Sequence, residues 1–198
     1  MSPRLLKRLS TLAICLLCCS PVWAHGGLVG MKAVWDGALH ILTSPLSLAA
    51  LVGASAVLAG IRERLIFALS FAAASSAGAA FLISSYLPAY ATPAIIAAVG
   101  LIGVGAWRPS ESFAFAIAAF AGLAGGLAAE LNSPSVPTIA GVFLAEFIIL
   151  AGVLTAYFDF ASMQKLIGVL PIARRVLGSW VAAIGLLMTT LALQVGKQ

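Results

Sequence analysis

The sequence predicts an all-α protein, a polytopic membrane helix bundle with six transmembrane helices after an N-terminal signal peptide. Of the 198 residues, 62% are hydrophobic and only 9% are charged, whereas soluble proteins carry about 25% charged residues. The apolar residues also gather in several runs of about 18 or more, which is the length that crosses a bilayer as a helix. The net charge of +5 does not indicate nucleic acid, because the basic residues form no stripe with interleaved aromatic side chains.

The first 24 residues have the pattern of a secretory signal peptide. A basic start with Arg4, Lys7 and Arg8 precedes an apolar stretch of about 11 residues, and a small residue, Ala24, closes the segment. Cleavage there makes His25 the mature N-terminus; the alternative is an uncleaved first helix. All three cysteines belong to this segment, so the mature chain has no thiol for a disulfide or a metal site.

Residues 25–198 form the predicted six-helix transmembrane domain, because the connections between apolar segments leave no room for a soluble domain. The six predicted spans are, approximately, Leu39–Gly60, Leu65–Ser85, Thr92–Ala106, Ser112–Leu131, Val136–Phe158 and Val176–Val195. Their third member is short for a hydrocarbon core of about 30 Å. A Ser-Pro pair, Ser44-Pro45, interrupts the first.

The charges of the connections orient the bundle. A cleaved signal places the mature N-terminus outside, and the positive-inside rule then agrees with the loops. The predicted outside segments hold only Lys32 and Lys197. The predicted inside loops hold Arg62, Arg64, Arg108, Lys165, Arg174 and Arg175. Both ends of the mature chain are therefore expected outside the membrane.

The predicted fourth span contains a pair of glycines at the spacing of a helix contact motif. Gly122 and Gly126 are four residues apart, and Ala118 extends the same face. Small residues allow helix backbones to approach closely in a membrane. In a chain this rich in glycine and alanine, a chance match is an equal alternative.

Four ionisable residues in or beside the spans are functional candidates, because charge is costly in a bilayer. Asp36 and His40 lie at the outer end of the first span and share a helix face, Glu130 lies at the outer end of the fourth, and Glu146 lies near the middle of the fifth. No basic residue is expected at the depth of Glu146, so protonation or a bound cation is favoured over an ion pair.

Simpler interpretations exist for the other three. Asp36 could cap the N-terminus of the first span, Glu130 could be solvated at the interface, and His40 could hydrogen-bond to a neighbouring carbonyl. The functional interpretation is a metal path, since an imidazole with carboxylates suits nickel, cobalt, zinc or copper. A mature N-terminal His25 would add an amine and an imidazole to it.

The chain resembles the HupE/UreJ family of hydrogenase- and urease-associated membrane proteins. The resemblance rests on Ala24-His25-Gly26 at the end of the signal, on the segment Gly37–Thr43 around His40, and on the glycine-rich segment Phe120–Gly126. It implies uptake of Ni²⁺ or Co²⁺ as a transported ion with no permanent cofactor, in the bacterial inner membrane with periplasmic termini. Besides lipid, the implied partners are hydrogenase or urease maturation proteins and further copies of the chain.

Two functions follow from these observations. The first is a permease for Ni²⁺ or Co²⁺, with His25, Asp36, His40, Glu130 and Glu146 as the metal residues. The second is a membrane accessory or interaction protein of the same fold that does not transport, because most histidines of the family motif are missing here. An intramembrane enzyme is not predicted, since neither a nucleophile–base pair nor an HExxH motif is present.

Overall fold

The computed structural model describes residues 29–59, 61, 63–80, 87–105, 109–129, 131, 134–161 and 168–195. The predicted signal peptide, including His25, lies outside these residues, as does Glu130. Within the described ranges the regular elements are all helices, which confirms the predicted all-α class. The seven helices are α1 (Val29–Thr43), α2 (Pro45–Leu58), α3 (Arg64–Ala80), α4 (Ala91–Val104), α5 (Glu111–Ala128), α6 (Val136–Ala161) and α7 (Val169–Val195).

Three of these helices, α5, α6 and α7, are long and apolar enough to cross a membrane. Helices α1 and α2 provide a fourth candidate if they are taken together as one broken span. The remaining apolar helices, α3 and α4, are 17 and 14 residues long, which is short for a bilayer core. The large side chains exposed on α6 and α7, such as Ile148, Trp180 and Leu187, suit a lipid environment.

The first predicted span is not one continuous helix. Helix α1 begins ten residues before the expected start, at Val29 instead of Leu39, and α2 leaves it at an angle of 75°. Ser44 has the extended backbone conformation of an N-cap, and Pro45 occupies the first turn of α2. Proline has no N–H for the α1 ladder and disfavours helical geometry in the preceding residue, so the helix must break there.

The start of the sixth predicted span is also wrong. Helix α7 begins at Val169, seven residues before Val176, so Arg174 and Arg175 lie in the helix and not in a loop. Arg174 is buried and donates hydrogen bonds from Nε to the Ala56 carbonyl at 2.7 Å and from Nη2 to the Val57 carbonyl at 3.3 Å. The second arginine, Arg175, is exposed.

Small residues bring helices α3 and α5 together. A Cβ atom built on Gly122 would lie 2.2 Å from the carbonyl oxygen of Phe71, and one built on Gly126 would lie 1.9 Å from that of Ser75. Neither distance is tolerable for a real side chain. The two glycines therefore form a true helix contact, as one of the two sequence interpretations predicted.

Close contacts at glycines also join two further helix pairs. Gly100 and Gly185 bring α4 against α7, and Gly37 and Gly141 bring α1 against α6. Helix α2 lies among these pairs, with contacts to α4, α5 and α7. Its buried alanines, Ala50 and Ala54 among them, belong to the same core as Phe71 and Leu150.

The contacts also fix the direction of most helices. Helix α2 runs antiparallel to α5, because Ser44 meets Ala128 and Ser47 meets Gly125. Helix α3 runs parallel to α5 through the Gly122 and Gly126 contacts. Helix α7 runs antiparallel to α2, from Arg174 beside the end of α2 to Met188 beside its start. We call the end of the bundle where α2 ends the Arg174 end, and the end where α2 starts the His40 end.

Candidate functional site

The break between α1 and α2 opens a cleft at the His40 end of the bundle. The cleft has a volume of about 360 Å³. Its walls come from the end of α1, the start of α2, the end of α5 and the C-terminal half of α7. The lining residues are His40, Thr43, Ser44, Pro45, Leu46, Ala128, Ala129 and Met188.

The imidazole of His40 is held by the backbone of α5. Its Nε2 atom hydrogen-bonds to the carbonyl oxygen of Ala129, as the simpler interpretation of this residue predicted. A carbonyl oxygen only accepts, so Nε2 must carry the proton, and in the neutral ring Nδ1 then keeps a lone pair. Histidines that bind metals commonly donate their other ring N–H in this way. The contact is therefore compatible with both interpretations of His40.

Two serines continue from the cleft into the bundle along the first turn of α2. Ser44 Oγ donates to the Ala128 carbonyl at 3.2 Å. Ser47 Oγ lies 3.0 Å from Ser44 Oγ. Ser47 is fully buried, and its hydroxyl reaches the Gly125 carbonyl at 2.8 Å. These bonds fasten the start of α2 to the end of α5 and fix the position of the break.

Glu146 lies beside Gly125, the residue whose carbonyl Ser47 contacts. A Cβ atom on Gly125 would be 3.9 Å from Glu146 Oε1, an ordinary contact distance. The Glu146 side chain is fully buried, and Ser75 Oγ of α3 donates to its Oε1 at 2.8 Å. Its other oxygen, Oε2, has no hydrogen-bond partner among the described residues. We call Ser44, Ser47, Ser75 and Glu146 the polar track.

The structure does not bring the described metal candidates Asp36, His40 and Glu146 together in one site. Asp36 is exposed in the middle of α1, so the prediction that it caps the first span is wrong, and it does not line the cleft. Glu146 is buried in the bundle interior. Among the described ranges, no group of three or more His, Cys, Asp and Glu residues is placed to hold a metal ion. Both His25 and Glu130 lie outside those ranges, so their side chains are not located.

Sequence reasoning missed three residues that build the site and one that joins two helices at the opposite end of the bundle. Ser47 could have been found, because it lies three residues after Ser44, in the first turn that follows the Ser-Pro break. The others carry no local signal. Ser75 and Met188 are brought in by tertiary packing, and Arg174 was assigned to a loop.

A comparison of the chain with protein-family models, with curated proteins and with solved structures finds no match. The class of protein therefore follows from the fold and the composition alone. The described chain is a helical protein with apolar helices long enough to span a membrane.

Proposed function

We propose that the chain is a permease of the bacterial inner membrane that passes a transition-metal ion through a six-span bundle. The cargo that the resemblance to the HupE/UreJ family implies is Ni²⁺ or Co²⁺. In this proposal the ion enters at the His40 end from the periplasm and leaves at the Arg174 end. Both termini of the mature chain are periplasmic.

The observation that carries the proposal is the carboxyl group of Glu146. It lies fully buried in α6, a 26-residue apolar helix, and one of its oxygens has no described partner. An ionisable group in the middle of an apolar helix is costly and marks a path for ions or protons by default. In a purely structural core, an apolar residue of similar size would fill the same space without that cost.

The broken helix supports the same proposal. Transporters commonly place their substrate sites where a transmembrane helix is interrupted, because the freed backbone and helix ends can then face a cavity. Here the interruption at Ser44-Pro45 opens a cleft that contains an imidazole. The hydroxyl groups of Ser44 and Ser47 lead from this cleft to the Gly125 carbonyl, and Glu146 Oε1 lies 3.9 Å from the Cβ position of Gly125.

The directions of the helices support six spans. Helices α2 and α4 run one way and α3, α5 and α7 the other, as their close contacts require. Since α5 ends at the His40 end and α7 starts near the Arg174 end, α6 must cross between them.

The test is uptake of radioactive Ni²⁺ and Co²⁺ into proteoliposomes that contain the purified protein, with empty liposomes as the control. We expect uptake above the control for at least one ion. His40→Ala should raise the half-saturating metal concentration while maximal uptake stays closer to normal, because His40 lies at the mouth. If the wild type moves neither ion, the permease proposal fails.

One observation favours a second candidate, a non-transporting membrane accessory protein of the same fold. The described residues hold no group of three metal-ligating side chains, whereas transition-metal selectivity depends on ligand type and geometry. An accessory protein should copurify with a metalloenzyme maturation protein even when Glu146 is replaced by Gln. A permease that works alone in liposomes contradicts this candidate.

A further inference from the structure

The cleft at the helix break holds a second group that can bind metal, and it differs from those that the sequence predicted. Met188 of α7 lines the cleft together with His40. The two residues are 148 positions apart in the sequence, so only the packing of α7 against α2 brings them to one cavity. Methionine carries a thioether, which is a soft ligand that selects soft metal ions.

Apart from His40 and Met188, the described lining side chains are two hydroxyls and apolar groups. Thr43 Oγ1 donates to carbonyl oxygens of its own helix, at 3.0 Å to Leu39 and 3.2 Å to His40. Ser44 Oγ donates to Ala128. No carboxylate is among the described residues that line the cleft, whereas divalent ions with high coordination numbers need several oxygen or nitrogen ligands.

The state of the imidazole completes the argument. Because His40 Nε2 donates to the Ala129 carbonyl, the lone pair of the neutral ring is on Nδ1. One imidazole nitrogen and one thioether sulfur suit Cu⁺ and Ag⁺, which are soft and tolerate low coordination numbers. The pair is a poor match for Ni²⁺ or Co²⁺ by itself.

We propose that this cleft is a binding site for a soft monovalent metal ion, Cu⁺ or Ag⁺, with His40 Nδ1 and Met188 Sδ as its ligands. The inference rests on the proposed function only in treating the cleft as the place where metal enters. It goes beyond that function, because it assigns the cleft an ion other than the proposed Ni²⁺ or Co²⁺ cargo. Binding involves no change in oxidation state, since the ion enters and stays monovalent.

The experiment measures Ag⁺ binding to the purified full-length chain in detergent by titration calorimetry in a chloride-free buffer. The background carries Cys15→Ser, Cys18→Ser and Cys19→Ser, because thiols would bind silver more tightly than the cleft. We expect one ion per chain. Met188→Leu keeps the size and apolar character of the side chain and should weaken binding by about tenfold or more, equal to a loss of about 1.4 kcal/mol.

The chain offers a matched control for Met188. Met31 is exposed on α1, so Met31→Leu should leave silver affinity unchanged.

X-ray absorption at the copper edge supplies a readout that a merely structural role would not change. The Cu⁺-loaded protein should show sulfur and nitrogen scatterers, and Met188→Leu should lose the sulfur while Met31→Leu keeps it. The inference is overturned if Met188→Leu binds Ag⁺ like the parent. Silver binding without Ni²⁺ or Co²⁺ uptake would leave this site standing and refute the proposed nickel–cobalt permease. Nickel uptake without silver binding would refute the silver site and leave the proposed permease standing.

Discussion

At the scale of single residues, Glu146 shows how packing and function meet in one side chain. Its carboxyl group accepts a hydrogen bond from Ser75, while the backbone of Ser75 is the surface against which Gly126 packs. The glycine contact thus sets the distance at which α3 can present its hydroxyl. A larger residue at position 126 would move Ser75 away from the carboxyl group.

Glu146→Gln should reduce maximal metal uptake by about tenfold or more, a loss of about 1.4 kcal/mol in the rate-limiting barrier. The amide cannot exchange charge or a proton as the carboxyl group does. Stability should change by about 1 kcal/mol or less, because the amide oxygen can still accept from Ser75. Uptake kinetics in liposomes and thermal unfolding in detergent measure the two effects. A fully active Glu146→Gln protein would exclude the polar track as the path.

Arg174 has a structural role in addition to its expected effect on membrane orientation. The last carbonyl groups of a helix have no partner within it, and the guanidinium of Arg174 satisfies those of Ala56 and Val57 at the end of α2. A cation is also favourable at a helix C-terminus. Arg175, one residue further on, is exposed.

Arg174→Ala should therefore destabilise the protein by about 2 kcal/mol, the value of a charged hydrogen-bond pair, whereas Arg175→Ala should change stability by less than about 0.5 kcal/mol. Both variants lose one positive charge from the same end of the bundle. If the arginines acted only on membrane orientation, the two variants would behave alike. Thermal unfolding of the purified variants distinguishes the two outcomes.

At the scale of helices, the close contact between α3 and α5 carries a clear prediction. Gly126→Ala places a methyl group where the carbonyl oxygen of Ser75 lies 1.9 Å away, so the helices must separate at a cost of about 2 kcal/mol or more. Uptake should fall as well, because Ser75 then moves from Glu146.

Gly152→Ala is the matched control for this substitution. A Cβ atom at Gly152 of α6 meets no atom within 4 Å, so alanine should leave stability unchanged or raise it by up to about 1 kcal/mol. Unfolding temperatures of the two variants in the same detergent give the comparison. Equal temperatures would show that α3 and α5 are not held by this contact.

At the scale of the whole molecule, the alternating helices predict the orientation in the membrane. We expect the mature protein to begin at His25 and to have both termini outside, which N-terminal sequencing can test. A periplasm-active reporter fused after Gln198 should be active, and the same reporter fused at Arg108 should be silent. An active reporter at Arg108 or an intracellular C-terminus would refute the six-span arrangement.

The sequence by itself determined the helical class and the approximate positions of most helices. Apolar runs and the polar segments between them are local properties, and the helices α4, α5 and α6 begin within one residue of the expected positions. The Ser44-Pro45 break was also visible, since proline acts on its own neighbours. The 75° angle of that break was not, because the contacts of Ser44 and Ser47 with α5 set it.

Only the tertiary structure decided which polar residues share a site. Asp36 and His40 are four residues apart, yet just one of them lines the cleft, because the cleft is at the end of α1, where His40 lies, and Asp36 is one turn earlier. Met188 and Ser75 join the cleft and the polar track from distant helices, whose arrangement depends on glycine contacts between backbones. Local sequence fixes where a helix forms, but the neighbours of a side chain depend on all the helices that pack around it.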